Sequence, residues 1–396
     1  MSQQSNQKKL LKALPVGTLG IIPLESSQSL GDKVNDYIVN WRKKRERERK
    51  QSSHSIELEG YLRDSYIIHA SCPRFGSGEA KGFITESVRG TDLYLLVDVC
   101  NHSLTYTVCG QTNHMSPDDH YQDLKRVISA VGGKAKRITV IMPFLYESRQ
   151  HKRTARESLD CALALQELTN MGVENIITFD AHDPRVQNAI PLKSFETVRP
   201  TYQFIKALLQ NLPDLKMDAK HMMMISPDEG GMGRAIYFAN VLGIDMGMFY
   251  KRRDYTRIVD GRNPIVAHEF LGSDIEGKDM LILDDMISSG DSMIDVATEL
   301  KKRKAGRIFV ASTFGLFTDG LEKFDKAYEN GLITRVMTTN LVYQPKELLT
   351  KPYYINVDMS KYVALLIDTL NHDGSISELL NPTERIQKIL KKYKQK

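Results

Sequence analysis

The sequence predicts an α/β protein in which mainly parallel sheets are flanked by helices. Short apolar runs alternate with stretches of helical spacing from about Leu19 to Thr369, the pattern of strands joined by crossover helices. The order of strand, loop and helix begins again near Arg199-Pro200, so two similar half-chains are expected, although no repeat of fixed spacing is present. The 396 residues leave room for two ordinary domains.

Composition narrows the class. A hydrophobic share of 41% with 26% charged residues fits a folded chain in water. No apolar run approaches the roughly 20 residues of a membrane span. A net charge of +5 suits anionic small substrates and nucleic acid alike. Cys72, Cys100, Cys109 and Cys161 form no CxxC pair, so neither a zinc site nor a disulfide framework is indicated and a reducing cytoplasm is expected. Lys8-Lys9 before Leu10 to Leu24 imitates a signal peptide, but Lys12 and Pro15 interrupt it, and an opening structural segment is the expectation.

In the first half, Leu19 to Leu24 is a first strand and Ser26 to Asn40 a helix through Val34, Tyr37 and Ile38. The run Arg42 to Lys50 interleaves both charges, as a solvated helix face or an exposed insertion does. Tyr66 to Ala70 and Leu93 to Val97 are strands, Asn101 to Asp119 a polar loop and Tyr121 to Ala130 a helix. Phe75, in the turn Arg74-Phe75-Gly76-Ser77-Gly78-Glu79, either packs under its loop or stacks on a flat base. The strand Arg137 to Pro143 runs into Arg149, Gln150, His151, Lys152, Arg153 and Arg156. So basic a segment beyond a strand is a triphosphate site or a solvated helix start. Leu159 to Met171 is a helix stopped by Gly172, and Asn175 to Phe179 a strand leading to Asp180-Ala181-His182-Asp183. His182 is either structural or a ligand for a divalent ion.

In the second half, Tyr202 to Leu209 is a helix and His221 to Ile225 a strand. Ser226-Pro227-Asp228-Glu229-Gly230-Gly231 then opens a helix over Gly233 to Leu242. The glycine pair permits close backbone approach to a phosphate, and Asp228 is an oxygen ligand suited to magnesium. Met246 to Tyr250 is a strand, Lys251-Arg252-Arg253 a cationic step and Asp254 to Pro264 a flap. Met280 to Leu283 is a buried strand ending at Asp284 and Asp285, followed by Ser288-Ser289-Gly290-Asp291-Ser292 and a helix over Ile294 to Arg303. Small polar residues at a helix N-terminus form an anion cradle. Two adjacent acids can take the vicinal hydroxyls of a sugar or hold a metal. Strands over Arg307 to Phe314, Arg335 to Thr339 and Tyr354 to Val357, helices over Leu321 to Asn330 and Ser360 to Thr369, and a basic tail from Asn381 complete the chain.

The Asp284 to Ser292 loop resembles the ribose 5-phosphate loop of type I phosphoribosyltransferases and of phosphoribosyl pyrophosphate synthetases. With Ser226 to Gly231, Lys251 to Arg253, Glu86 to Gly90, Arg149-Gln150 and His182 in the same order, the chain is similar to the ribose-phosphate pyrophosphokinases from about Phe75 to Ile367. The resemblance implies two tandem phosphoribosyltransferase-like domains of type I: residues 1–198 on the ATP side, with a charged insertion near 42–61, and 199–350 on the ribose 5-phosphate side. Residues 351–396 would supply a strand and helix returning to the first domain, and the basic tail. It also implies a dimer-based homo-oligomer, commonly a hexamer, with no nucleic-acid or membrane partner.

The implied reaction moves the diphosphate of ATP to the C1 hydroxyl of ribose 5-phosphate, for nucleotide biosynthesis. By resemblance, Asp284 and Asp285 hold the ribose hydroxyls, and Ser288, Ser289, Gly290, Asp291 and Ser292 hold the 5-phosphate. Lys251 and Arg253 stabilise the transition state, and His182 and Asp228 contact Mg2+. Arg149 and Gln150 hold ATP, while Phe75 and Glu79 contact adenine across a subunit boundary. The pattern departs from the family at Ser77, which replaces an acid, at His151-Lys152 in place of Asp-Arg, and in the phosphate loop. There the acid is missing at Ser288 and appears at Asp291 instead, where it would repel a phosphate unless it points away or caps the helix. The alternatives are a catalytically weak nucleotide-binding regulatory homologue, or a base phosphoribosyltransferase.

Overall fold

A computed structural model describes residues 13–51, 60–253 and 265–394. Contacts divide the chain into two units: Met1–Pro200 with Asn340–Tyr343 and Asp358–Arg385, and Thr201–Thr339 with Gln344–Val357 and Ile386–Lys396.

The first unit opens with β1 (Thr18–Pro23) and α1 (Gln28–Gln51), followed by the short pair β2 (Ala70–Ser71) and β3 (Phe83–Ile84). The predicted strand over 66–70 shrinks to a bridge from Ile67 to Ile21 and this pair. Next come β4 (Thr91–Leu96), the hairpin β5 (Thr105–Val108) and β6 (Gln111–His114), and α2 (Pro117–Val131). The expected polar loop over 101–119 thus contains a hairpin, turned at Cys109 and Gly110, both with positive φ. Helix α2 starts before Tyr121 because Ser116 and Asp119 form a reciprocal capping box, with Pro117 in the first turn. After β7 (Arg137–Ile141), α3 (Asp160–Asn170), β8 (Asn175–Phe179) and β9 (Ser194–Val198), the sheet order is β1-β4-β7-β8-β9, all parallel. Its central strands β4, β7 and β8 are almost wholly buried, which explains their continuous apolar runs.

The second unit begins with α4 (Thr201–Asn211), β10 (Met222–Ser226), α5 (Met232–Leu242), β11 (Asp245–Arg253) and β12 (Ile265–Leu271). Next are β13 (Asp279–Ile287), α6 (Asp291–Lys302), β14 (Ile308–Gly315), α7 (Glu322–Glu329), β15 (Arg335–Thr339) and β16 (Tyr354–Val357). The sheet order is β12-β11-β10-β13-β14-β15-β16, antiparallel only where β12 meets β11. Strand β13 runs past the acid doublet to Ile287, because Met286 and Ile287 still pair with Phe314 and Gly315 of β14. Core residues from β10, β13, β14, α6 and α7 form one cluster around it.

The C-terminal segment departs from expectation. Strand β16 stays beside β15 in the second sheet, in register Val336 to Tyr354, where its backbone groups find a parallel partner. Helix α8 (Ser360–Asn371) belongs to the first unit and is buried on nearly every side, packed on α1. The turn α9 (Ser377–Leu380) leads to α10 (Thr383–Lys394), so the predicted tail is a helix. Its Ile386 and Leu390 are buried, and the Tyr393 hydroxyl donates to Pro213 O at 2.6 Å.

The charge run over 42–50 also needs correction. It continues α1, and Arg42 and Arg45 are each only 1% exposed, whereas Lys43, Lys44, Arg47 and Glu48 face water. Three-residue spacing puts both arginines on one face. Arg42 Nε donates to Asp368 at 3.2 Å and its Nη2 to Asn371 at 2.6 Å. Arg45 donates to the other Asp368 oxygen and, at 2.8 Å, to the Tyr61 hydroxyl. The Arg42 guanidinium lies 4.6 Å from the ring centre of Tyr61 and 4.8 Å from that of Tyr66. A run that looks like a solvated face therefore anchors α8.

Candidate functional site

The candidate residues lie mostly where parallel strands end, the edge of a sheet at which ligands of α/β folds collect. In the second unit, β10, β13 and β11 run parallel and side by side, with β10 between the other two. Their carboxyl ends carry Asp228, the Asp284-Asp285 doublet and Lys251 with Arg253. The backbone of Lys251 pairs with His268 on β12; the Lys251 and Arg253 side chains and residues 254–264, which hold the expected flap, lie outside the described residues.

The doublet is largely buried, Asp285 at 3% exposure. Asp284 accepts from Asp285 N at 2.9 Å, and Asp285 from Met286 N at 3.0 Å. Arg234, in the first turn of α5, reaches both: its Nη1 is 3.4 Å from Asp284 Oδ1 and its Nη2 4.0 Å from Asp285 Oδ2. Burial, and then the neighbouring Asp285, hold the Asp284 carboxyl well above the usual carboxylate range, while Arg234 works in the opposite direction. The sequence does not single out Arg234. Its signal is slight: a basic residue three positions beyond Gly231, where a first helical turn meets the strand end.

The loop over 226–231 is held from within. Asp228 Oδ1 accepts from Gly230 N at 2.9 Å and Gly231 N at 3.2 Å, and Ser226 Oγ donates to Asp228 O at 2.7 Å. One oxygen of the proposed magnesium ligand thus holds the turn that leads into α5. A Cβ on Gly231 would lie 2.9 Å from Ser226 Oγ and 3.6 Å from Leu283 O, so glycine lets α5 approach β13 closely.

Ser288 and Ser289 are half-buried, and Gly290 sits at φ +87° before α6. A Cβ there would also meet the Phe324 ring at 2.5 Å. Asp291, the departure from the family loop, turns outward. Its Oδ1 pairs with Lys323 Nζ at 2.7 Å, and its Oδ2 accepts from Ser289 Oγ at 2.9 Å. Lys323, and then Ser289, hold the Asp291 carboxyl below its usual range. Lys323 lies 32 residues away, and nothing in the sequence marks it.

In the first unit, Arg149, Gln150 and His182 follow the adjacent parallel strands β7 and β8. Arg149 is exposed, in an irregular loop rather than a helix start. The Gln150 side-chain nitrogen donates to Ser158 O at 2.7 Å, closing that loop. The rings of His151 and His182 are 5.4 Å apart, and His151 Nε2 is 3.5 Å from Asp183 Oδ2. A hydrogen bond from Arg185 is the main reason the Asp183 carboxyl is lowered to about 2. His151 and Asp183 thus meet between the loops that follow neighbouring strands, a contact the sequence could not reveal.

Phe75 and Glu79 form a separate group. Phe75 N donates to Glu79 O at 2.7 Å and Gly78 N to Phe75 O at 2.9 Å, a tight turn that leaves the Phe75 ring 54% exposed. Ser77 Oγ donates to Glu79 Oε2 at 3.0 Å. The turn is tied to the β5–β6 hairpin by Cys109 N to Gly76 O at 3.0 Å and to α2 by Arg74 to Asp123 at 2.9 Å. An exposed aromatic fixed in a rigid turn can stack on a flat ring.

Known proteins resemble this chain over most of its length. A family model for the N-terminal domain of ribose phosphate pyrophosphokinase matches residues 19–172, and one for the phosphoribosyl synthetase-associated domain matches 256–381. A ribose-phosphate pyrophosphokinase of Vibrio cholerae is 29% identical over 318 residues, covering 79% of this chain and 91% of that protein. Its namesake from Mycoplasma genitalium is 28% identical over 292 residues, covering 73% and 80%. The crystal structure of phosphoribosylpyrophosphate synthetase from Mycobacterium smegmatis has the same fold, with a TM-score of 0.67 at 20% identity over 90% of this chain and 100% of that one. With an acid doublet and a hydroxyl-lined loop on one strand end, and relatives aligned over most of its length, the chain belongs to the ribose-phosphate pyrophosphokinase family.

Proposed function

We infer that the protein is a working ribose-phosphate diphosphokinase. The C1 hydroxyl of ribose 5-phosphate attacks the β-phosphorus of ATP, the bond from that phosphorus to the α-phosphate oxygen breaks, and AMP leaves. The products are 5-phosphoribosyl 1-pyrophosphate and AMP. The protein contributes alignment and charge, since phosphoryl transfer asks little covalent chemistry of it. The observation that carries this reading is the Asp284-Asp285 doublet of β13, set beside the 288–292 loop and braced by Arg234. The doublet accepts hydrogen bonds from the ribose hydroxyls, and the loop and the start of α6 receive the 5-phosphate. Lys251 and Arg253, at the end of β11, are assigned to stabilising charge on the diphosphate in flight. Arg149 and Gln150 are assigned to the phosphates of ATP, and Phe75 and Glu79 to adenine. Domain roles follow, with the nucleotide side in the first unit and the ribose side in the second. Phe75 also motivates proposing a homo-oligomer, checked by light scattering.

Magnesium fits the donor chemistry. Among the described residues no three His, Cys, Asp or Glu cluster as a metal site. A cation held chiefly by nucleotide phosphates, with one or two protein ligands, is the usual binding mode of Mg2+. Asp228 and His182 are each proposed to contact Mg2+, Asp228 with its hard oxygen being the better matched. Bound there, Mg2+ would neutralise charge on the polyphosphate. Among the described residues no helix is long and apolar enough to cross a membrane. The four cysteines are free thiols, which supports the proposal of a reducing cytoplasm.

The deciding assay supplies ATP, Mg2+ and ribose 5-phosphate to pure protein. AMP and 5-phosphoribosyl 1-pyrophosphate should form in equal amounts. No AMP above background would leave the regulatory homologue, and consumption of 5-phosphoribosyl 1-pyrophosphate with a base would favour the transferase.

A further inference from the structure

The phosphate loop carries an acid where an anion is to bind, and the fold supplies a cation from a distant part of the chain to meet it. Gly290 rests on the buried ring of Phe324, which packs edge-on against Phe317 with ring centres 5.3 Å apart. That contact fixes the first turn of α7 against the loop. Lys323 is the residue before Phe324, and its Nζ lies 2.7 Å from Asp291 Oδ1 and 2.8 Å from Asp319 Oδ2. Thr318 N, one residue before Asp319, donates to Ser288 O at 3.0 Å. The loop and the 318–324 segment are therefore tied at both ends, with Lys323 between them.

As a stability device this arrangement is weak. Exposed ion pairs contribute little, because water screens them and ordering the side chains costs entropy. Its position is what gives it an effect. An unpaired carboxylate at the first residue of α6 would face the same backbone N–H groups that a phosphate needs, and would repel that phosphate.

We propose that Lys323 is a positioning residue for the 5-phosphate subsite: it draws the Asp291 carboxylate outward and neutralises it, so that the altered loop still accepts a sugar phosphate. The inference rests on the function proposed above, and it adds a residue of α7 to the ribose side. On phosphate binding the Ser289 hydroxyl is expected to leave Asp291, which keeps Lys323 as its partner.

The test is Lys323→Met in the full-length protein, with ribose 5-phosphate binding measured by titration calorimetry alongside turnover. The Kd for ribose 5-phosphate should rise roughly fivefold to tenfold, more at low salt than at high salt. The Kd for ATP and the melting temperature should stay unchanged. Adding Asp291→Asn to Lys323→Met should restore ribose 5-phosphate affinity to within about twofold of native, and Lys323→Arg should keep it. Equal weakening of both substrates overturns the proposal. So does a double variant as weak as Lys323→Met alone. Binding of ribose 5-phosphate by the native protein without AMP formation would remove the proposed activity and leave this inference standing. No binding by the native protein would overturn both.

Discussion

At the scale of single residues, Lys251 and the Asp284-Asp285 doublet stand on strands of one sheet with β10 between them. Replacing Lys251 by Ala should lower kcat by roughly a hundredfold or more, with much smaller loss of ATP binding. Equal losses in the two would make it a binding residue only. Arg234 allows a test of sign. Burial and Asp285 raise the Asp284 carboxyl, and Arg234 counteracts them. Ionised carboxylates grip ribose hydroxyls, so kcat/KM for ribose 5-phosphate should fall on the acid side at a higher pH than for ordinary carboxylates. Arg234→Met should move that limb to still higher pH, read from a pH profile between 5 and 9. A limb that stays put or moves down would detach Arg234 from the doublet. The doublet was legible because acids directly after an apolar strand stand out in one stretch of sequence. Arg234 was not, since its role depends on α5 meeting β13 across 50 residues of chain.

At the scale of elements, α1 and α8 hold together through buried charge. Asp368 faces Arg42 and Arg45, and the His372 ring sits against the Tyr61 hydroxyl at 3.1 Å and Asp368 O at 2.6 Å. Burial lowers His372 from 6.5 to about 4. Between those values the unfolded chain binds a proton that the folded chain refuses, so stability falls as pH drops through the window. The loss should be roughly 2 kcal/mol between pH 7 and pH 5, seen as a lower urea midpoint. His372→Gln should flatten that dependence; an equally steep one would assign the acid sensitivity elsewhere. Asp368→Ala should cost about 3–5 kcal/mol, because two guanidinium groups would be left in the interior without their carboxylate. The sequence marked α8 as apolar and α1 as helical. It did not mark which charges of the 42–50 run turn inward, because periodicity alone cannot separate a buried pair of arginines from a solvated one.

At the scale of the whole molecule, each unit is a mainly parallel sheet flanked by helices, with candidate residues at strand ends. No metal cluster holds either fold together among the described residues. Chelation should therefore abolish turnover while leaving the melting temperature within a degree or so of native, checked by calorimetry with and without excess chelator. A large fall in melting temperature would reveal a structural metal instead.

By itself the sequence determined the α/β class, most strands of both sheets and the motifs at the strand ends. Those features are local: a buried parallel strand must be apolar along its length, and a loop that meets a phosphate must be small and polar. Tertiary structure alone decided that β16 stays in the second sheet while α8 belongs to the first unit. It also decided that Arg42 and Arg45 are interior and that Asp291 faces Lys323. Each of these joins residues far apart in the chain, and their pairing is set by packing and charge neutralisation in three dimensions, which no spacing within one segment records.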